Sequence, residues 1–322
     1  MPYYPQGPKE PPKKPPLKEQ PLFRLILLCL SALLVSYGAF RLLGYGADWV
    51  TSRNTSQELR EIAAATEPSS TAPPPETAVP PAVNPTPEPT PESAPVPVTA
   101  AAETAVPAEY LPAVEYPGGM NIVPRIRDLR KKSEYIMGWL TMDDLDEPVA
   151  LKDNEFFLNH DATGKKNSNG AIFLDSGISL KTRPYTIILY GHNMKSGNMF
   201  GRLKKYKEST YFYKHRIITF DTMYENGQYA VFAVVEMSTT PGVARWYDLW
   251  SLTTDNYENR EDAIRTLERR SVISSALDVQ ADDQILLLVT CLDGDTERLV
   301  VVARRIREDE GETADQLMIR TK

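Results

Sequence analysis

The sequence predicts a mostly β fold with helical insertions (α+β), in which the strands close into a barrel behind a transmembrane helix and a disordered linker. Three observations support this prediction. One long apolar segment lies near the N-terminus, a proline-rich tract follows it, and the remaining chain carries many short apolar runs separated by turn residues. Because many short strands accompany few helices, a closed or nearly closed barrel is the favoured architecture.

Composition limits the classes of function. The 322 residues carry a net charge of −7 with a pI near 5.2, which argues against nucleic acid as the main partner. The two cysteines, Cys29 and Cys291, are too few for a disulfide framework. Cys29 falls inside the apolar segment, so a bond between the two is implausible. Cys291 is then an unpaired cysteine in an exported domain, which indicates a reactive thiol.

The N-terminal zone predicts a single-pass membrane protein. Residues 1–21 are rich in proline and lysine and are predicted to be a disordered cytoplasmic tail. Residues 22–46 are predicted to be the transmembrane anchor, because Arg24 and Arg41 extend its apolar stretch to roughly 20 residues by snorkelling. The preceding lysines predict a cytoplasmic N-terminus, which places the rest of the chain outside the cell. A cleaved signal peptide is the alternative, but no small-x-small cleavage site follows.

Residues 47–118 are predicted to form a juxtamembrane helix and a proline-rich spacer. Residues 48–65 are expected to continue as a helix on the membrane surface. Residues 67–117 contain mainly proline, alanine, threonine, glutamate and valine, with no lysine or arginine. This composition predicts an extended, semi-stiff segment that gives the following domain extra reach from the membrane. A ligand for a proline-binding module is the alternative.

Residues 119–310 are predicted to be one globular domain, followed by a C-terminal tail at 311–322. The domain is expected to begin with a helix at 125–135. Short strands are predicted at 138–142, 171–174, 186–190, 217–220, 228–237, 285–290 and 299–305. Helical pieces are predicted at 199–206, 209–214 and 261–269.

Three candidate catalytic residues lie at the ends of these apolar runs. Cys291 closes one run, Arg298 opens the next, and the polar loop 292–297 joins them. A thiol needs a base or a cation nearby to be a useful nucleophile at neutral pH. His192 follows a strand-like run and Gly191, so it is well placed to project into a cleft. We therefore predict that Cys291, His192 and Arg298 act together.

Other candidates for these roles are weaker. His160 lies in a polar turn, and His215 lies between two basic residues, where a solvated role is expected. Arg304 shares a strand face with Arg298 but lies far from the cysteine end, and Arg305 is a further competitor. The acidic stretch at 293–295 is better explained by a hairpin turn than by a calcium site, which needs more oxygen ligands at set spacing.

The residues around the three candidates resemble class B sortases, cysteine transpeptidases of the Gram-positive cell surface. The segment YGHNMKSGNMFGRLKKY at 190–206 resembles the histidine signature of that family, and DNEFFLNHD at 153–161 resembles its upstream segment. VTC at 289–291 with RLVVVAR at 298–304 is similar to the family's Thr-Cys and arginine strands. MGWL at 137–140 resembles an early Gly-Trp-Leu strand. The resemblance covers residues 124–306.

The resemblance implies a sortase-type barrel and a transpeptidase (a hydrolase and acyltransferase by reaction class). Cys291 would attack a carbonyl in a C-terminal sorting signal of an exported protein and form a thioacyl intermediate. His192 would serve as acid and base, and Arg298 would bind the substrate backbone or the oxyanion. An amine of a cell wall precursor would release the product, and no metal or organic cofactor is called for. The predicted substrate-binding residues are Thr290, Asn193 and Met194.

Three alternatives remain open from the sequence. The first is a cell wall peptidase with a Cys–His pair, although that class places the cysteine before the histidine at a helix start. The second is a non-catalytic surface-binding domain that keeps the fold. The third is a pilus-polymerising sortase, which uses the same chemistry with a pilin amine. Loop 292–297 is short and acidic and departs from the family pattern, so we expect the substrate preference to differ there.

Overall fold

The computed structural model of the protein describes residues 21–66, 110–291 and 296–310. Contacts divide the chain into two units, one ending at Asn54 and one beginning at Thr55. Helix α1, Pro21–Thr66, crosses this boundary. Among the described residues α1 is the one helix that is long and apolar enough to cross a membrane, by length and composition. The tail predicted at 311–322 lies outside the described residues, as do residues 1–20 of the tail predicted at 1–21.

The second unit is built on a closed barrel of eight strands, as predicted. The strands are β1 Ile136–Met142, β2 Leu145–Ala150, β3 Ile172–Leu174, β4 Thr186–Tyr190, β5 Ile217–Thr222, β6 Gln228–Ser238, β7 Ile285–Cys291 and β8 Glu297–Arg305. Their order around the barrel is β1-β2-β3-β4-β7-β8-β6-β5. The β2–β3 and β4–β7 pairs are parallel, and the other pairs are antiparallel.

Alternation of side chains along the strands gives the barrel an interior core and an outer apolar face. In β7, Leu286 and Leu288 belong to the interior cluster, whereas Leu287 and Val289 belong to an outer cluster. Helix α4, Tyr257–Arg270, covers the outer cluster with its apolar side, which includes Leu267. Both faces of these central strands are therefore buried, which explains their nearly continuous apolar sequence.

Several elements differ from the sequence prediction. Helix α2, Pro124–Arg130, is shorter than the predicted helix, because the Arg130 side chain donates to the carbonyls of Glu134 and Ile136 where the chain turns into β1. Strand β2 was not predicted, because Pro148 and the charged residues before it interrupt the apolar pattern. The segment at 199–206 is a 3₁₀ helix, Phe200–Lys207, and helix α3 spans Ser209–Lys214.

The last part of α1, residues 55–66, packs on the barrel. Leu59 and Ala63 are 2% and 1% exposed and join an apolar cluster with Trp139 of β1. Beside them, Arg60 Nη2 lies 2.8 Å from Glu147 Oε1, and Ser56 Oγ donates to Glu147 Oε2 at 2.7 Å. We call residues 55–66 the docked helix.

The proline-rich segment therefore has both of its flanks on the same unit. After residues 67–109, which lie outside the described residues, Leu111 N donates to Asp255 O at 2.7 Å. The Tyr185 hydroxyl donates to Pro112 O at 2.5 Å, and the Tyr116 hydroxyl donates to Leu180 O at 2.6 Å. The compact unit that contains the barrel thus begins at Thr55, before the proline-rich segment, and the predicted boundary of the globular domain at residue 119 stays a prediction.

Candidate active site

The three predicted catalytic residues lie at one end of three adjacent strands. In the parallel pair β4–β7, Tyr190 is registered with Val289. His192 and Cys291 each lie two residues beyond that pair, so both chains leave the sheet at the same end. In the antiparallel pair β7–β8, Cys291 is registered directly opposite Arg298. The backbone therefore brings the candidate base, nucleophile and cation together from segments far apart in the sequence.

These positions lie on the outer face of the barrel. Val289 and Val300 belong to the outer apolar cluster, and side chains two residues apart on a strand share a face. The positions of Cys291 and Arg298 therefore continue the outer face toward the strand ends. Tyr190 also packs against the outer cluster. The candidate site thus lies at the end of the outer face of the barrel and outside its interior core.

The environment of Arg298 provides a positive charge next to Tyr190. The Arg298 side chain is half-buried, and its Nη1 donates to Glu297 O at 3.1 Å. Burial raises the pKa of Tyr190 above its usual range, as does the negative charge of Asp175, whereas the Arg298 charge acts in the opposite direction. The guanidinium thus acts electrostatically at the end of β4, where the chain turns toward His192.

The ring of His192 is held through one nitrogen. Its Nε2 lies 2.7 Å from the carbonyl oxygen of Leu158, and the side chain is half-buried. A carbonyl oxygen only accepts hydrogen bonds, so Nε2 must carry a hydrogen in this arrangement. In the neutral ring Nδ1 is then the unprotonated nitrogen. Nδ1 is therefore the atom available to take up or deliver a proton.

The loop that carries His192 fits closely against its neighbours. His192 O accepts a hydrogen bond from Phe200 N at 2.9 Å. The edge of the imidazole faces Gly170, which has a φ of +65°. A Cβ at this glycine would lie 2.4 Å from Phe157 O and 3.0 Å from His192 Cδ2. Only glycine suits both this backbone conformation and this space.

The three residues predicted to bind substrate have different surroundings. Thr290 is 3% exposed, and its hydroxyl donates to Gly191 O at 2.7 Å, which ties β7 to the His192 loop. Met194 packs against the interior cluster. Asn193 is half-buried, and its backbone forms a bridge with Met199. The surroundings of Thr290 and Met194 indicate that these two residues support the His192 loop rather than contact a substrate directly.

The competing residues have structural partners elsewhere. His160 Nδ1 lies 2.8 Å from Phe156 O, and its ring stacks on the Phe156 ring with 3.9 Å between centroids. His215 is not simply solvated as expected, because its Nδ1 lies 3.3 Å from Asp143 Oδ1. Arg304 is fully buried and forms two hydrogen bonds with the Glu310 carboxylate.

Three further residues around the site were not identified from the sequence. The Leu158 carbonyl, Gly170 and the buried Asp175 all act through three-dimensional contacts that no local pattern reports. Leu158 lies in the segment DNEFFLNHD at 153–161, and the resemblance of that segment to class B sortases was the one sequence signal for it. The acidic stretch at 293–295 lies outside the described residues, so its assignment as a hairpin turn stays a prediction.

Comparison with known proteins identifies the family. The family model described as the sortase domain matches residues 144–306. Sortase B of Staphylococcus aureus is 34% identical over 196 residues, covering 58% of this chain and 77% of the relative. Sortase B of Listeria monocytogenes is 33% identical over 178 residues, covering 54% and 68%. A crystal structure of the Staphylococcus aureus protein superimposes with a TM-score of 0.52 at 32% identity, covering 58% of this chain and 89% of that one. The chain belongs to the sortase family, and its similarity is to class B sortases.

Proposed function

We propose that this sortase is a membrane-anchored cysteine transpeptidase that cleaves a C-terminal sorting signal of exported proteins and transfers them to an amine of a cell wall precursor. One observation carries the proposal: strand register brings Cys291, Arg298 and the His192 loop to the same end of β4, β7 and β8. A thiol can form the thioester, an imidazole can move the protons, and a guanidinium can stabilise the oxyanion.

In the first half-reaction, the Cys291 thiolate attacks the carbonyl carbon of the scissile peptide bond. The C–S bond forms and the oxygen becomes negatively charged. Arg298, which stays protonated and presents a fork of donors, stabilises that oxygen. The C–N bond then breaks, and the leaving amine takes a proton from His192. The Nε2 contact with Leu158 O leaves Nδ1 for this transfer.

In the second half-reaction, an amine of the acceptor attacks the thioester carbon. His192 takes a proton from that amine as the new C–N bond forms. The C–S bond breaks and returns the electron pair to the Cys291 sulfur. The cycle therefore restores the thiolate and the protonated imidazole, and it exchanges one amide bond for another without a cofactor.

The N-terminal helix supports action at the membrane. Its apolar segment is long enough to span a bilayer, and the lysines before it indicate a cytoplasmic N-terminus. The catalytic domain is then extracellular, where exported proteins and cell wall precursors meet. One of the similar solved structures is a Staphylococcus aureus sortase B–substrate complex, which supports a substrate-binding role for this domain.

The test uses residues 55–322, which contain the complete second unit. We would incubate this protein with a library of pentapeptide sorting signals and detect the acyl adduct by mass spectrometry. The wild type should gain the acyl mass on Cys291, and Cys291→Ala should gain none. Absence of an adduct with every peptide, while a small thiol reagent still labels Cys291, would favour the non-catalytic alternative.

Variants of the other two residues test their roles. His192→Ala and Arg298→Ala should each reduce turnover by about 10²–10⁴-fold, the range of general acid–base and oxyanion contributions. His215→Ala and Arg305→Ala are matched controls, because both residues have partners away from the site. Near-normal turnover in His192→Ala or Arg298→Ala would reject that residue. Supplying wall-derived and pilin-derived amines in parallel would separate wall anchoring from pilus assembly.

A further inference from the structure

We propose that Asp175 is a positioning residue of the transpeptidation site, because its buried carboxylate joins Tyr190 and Asn154 into one peptide-binding wall. This inference rests on the proposed function and adds a determinant of substrate binding to it. Asp175 lies outside the three residues that carry the chemistry. Its contribution would be to hold the surfaces that the sorting signal meets before the thiol reacts.

The surroundings of Asp175 are unusual for a carboxylate. It follows the last residue of β3 and is 0% exposed. Its partners are neutral donors: the Tyr190 hydroxyl at 2.8 Å and Asn154 Nδ2 at 3.3 Å on Oδ2, and Gly177 N at 2.7 Å on Oδ1. A buried carboxylate costs desolvation free energy unless its oxygens are satisfied. Here three donors satisfy the carboxylate oxygens and offset that cost. The same hydrogen bonds hold the three donors in place.

One arm of this bridge reaches the loop that holds the imidazole. Asn154 donates to Asp175 and accepts from Ser176 N at 2.8 Å, so its amide is held on both sides. Four residues later the same loop presents Leu158 O to His192 Nε2. Leu158 itself is 44% exposed. The loop therefore carries an exposed apolar side chain on the residue whose carbonyl binds the histidine, and Asp175 fixes the start of that loop.

The other arm reaches the strand next to the nucleophile. Tyr190 is the last residue of β4, two positions before His192, and is registered with Val289. Its ring packs on Phe173 with 5.4 Å between centroids, and its hydroxyl points to Asp175. Arg298 acts on it electrostatically. A peptide whose carbonyl lies near Arg298 would pass along this ring.

The bridge depends on both carboxylate oxygens being acceptors. An asparagine at this position would present one NH₂ group, so either Gly177 N or the Tyr190 and Asn154 donors would face another donor. Asp175→Asn keeps the shape but removes an acceptor on one side, either the side of Gly177 or the side shared by Tyr190 and Asn154. Tyr190→Phe removes only the hydroxyl. The two substitutions should therefore be strongly non-additive, since each disrupts the same link.

The experiment separates peptide binding from thiol reactivity. Full-length protein in detergent micelles would be assayed for cleavage of a sorting peptide that the wild type cleaves, and for alkylation of Cys291 by iodoacetamide. Asp175→Asn should raise KM about tenfold with kcat within about twofold, the pattern expected when ground-state and transition-state contacts are lost together. Alkylation should change less than about twofold, because the small reagent does not need the peptide-binding wall.

Tyr206→Phe is the matched control. It removes a buried tyrosine hydroxyl that donates to His215 O, on a different part of the barrel, and KM should stay at the wild-type value. The double variant Asp175→Asn/Tyr190→Phe should show the KM of Asp175→Asn alone. An unchanged KM in Asp175→Asn, or equal losses of alkylation and peptide cleavage, would overturn the inference. If the wild type cleaves no peptide, the proposed function fails first and independently of these variants.

Discussion

Truncation of Leu59 to alanine should destabilise the barrel unit, although Leu59 lies before the proline-rich segment in the sequence. Leu59 is 2% exposed and packs in the cluster that contains Trp139 and Leu129. Leucine-to-alanine substitutions at such positions cost about 2–5 kcal/mol, from lost transfer free energy and the cavity left behind. For a domain of this size each kcal/mol lowers the melting temperature by about 2–4 °C. The expected decrease is therefore about 4–20 °C.

The assay is thermal unfolding of residues 55–322, followed by circular dichroism and calorimetry. Val272→Ala is the matched control, because Val272 is 50% exposed and exposed substitutions usually change stability by less than about 0.5 kcal/mol. A melting temperature for Leu59→Ala within about 2 °C of the wild type would refute the packing of residues 55–66 on the barrel. A separate melting transition of the docked helix, at a lower temperature than that of the barrel, would show that the helix and the barrel do not unfold cooperatively.

Four other predictions concern the site and its support. Gly170→Ala should lower both stability and turnover, because the new Cβ meets Phe157 O at 2.4 Å and the His192 ring at 3.0 Å in a left-handed backbone conformation; normal turnover would contradict the close fit. Thr290→Val should cost about 1 kcal/mol in unfolding free energy by removing the bond to Gly191 O and should reduce kcat, with Thr290→Ser restoring both. Burial raises the pKa of Glu147. Its contribution to the free energy of unfolding is therefore present below the unfolded pKa of about 4.3 and is lost as pH rises through the higher folded pKa. In denaturant titrations, the free energy of unfolding of Glu147→Gln should vary less with pH than that of the wild type. Shortening residues 67–109 by half should leave peptide cleavage unchanged and raise stability by at most about 0.6 kcal/mol, from the reduced loop-closure entropy; a large loss of cleavage would show that the segment acts in the site.

Much of the fold followed from local sequence patterns. The apolar runs that became β4, β7 and β8 are buried on both faces, so their sequence signal is continuous and their bounds were predicted within about two residues. Strand β2 was missed because it carries Pro148 and two acidic residues. Its pairing with β1 is a local hairpin that the apolar pattern did not reveal: Pro148 is registered with Trp139, and the Asp146 side chain accepts from the Trp139 indole.

The candidate site was predictable only in part. Cys291, His192 and Arg298 stand at strand ends, and strand ends are visible in sequence. Their neighbourhood depends on the parallel pairing of β4 with β7 across almost one hundred residues, which no local pattern encodes. The roles of Thr290 and Asp175 depend on buried hydrogen bonds, so they emerge only when the barrel closes. The docked helix was missed for the same reason, because Leu59 and Ala63 read equally well as one side of a membrane-surface helix.

Under the proposed membrane anchoring by α1, the packing of the docked helix decides what happens when the chain is cut between the anchor and the barrel. A protease that cuts once within residues 67–109 would break the covalent path between the anchor and the barrel. The membrane-bound piece would still carry residues 55–66, with Leu59 in the apolar cluster and Arg60 on Glu147. The nicked enzyme would therefore remain at the surface as a non-covalent pair. Shedding would then be governed by dissociation of one helix, at a rate that Leu59→Ala should increase.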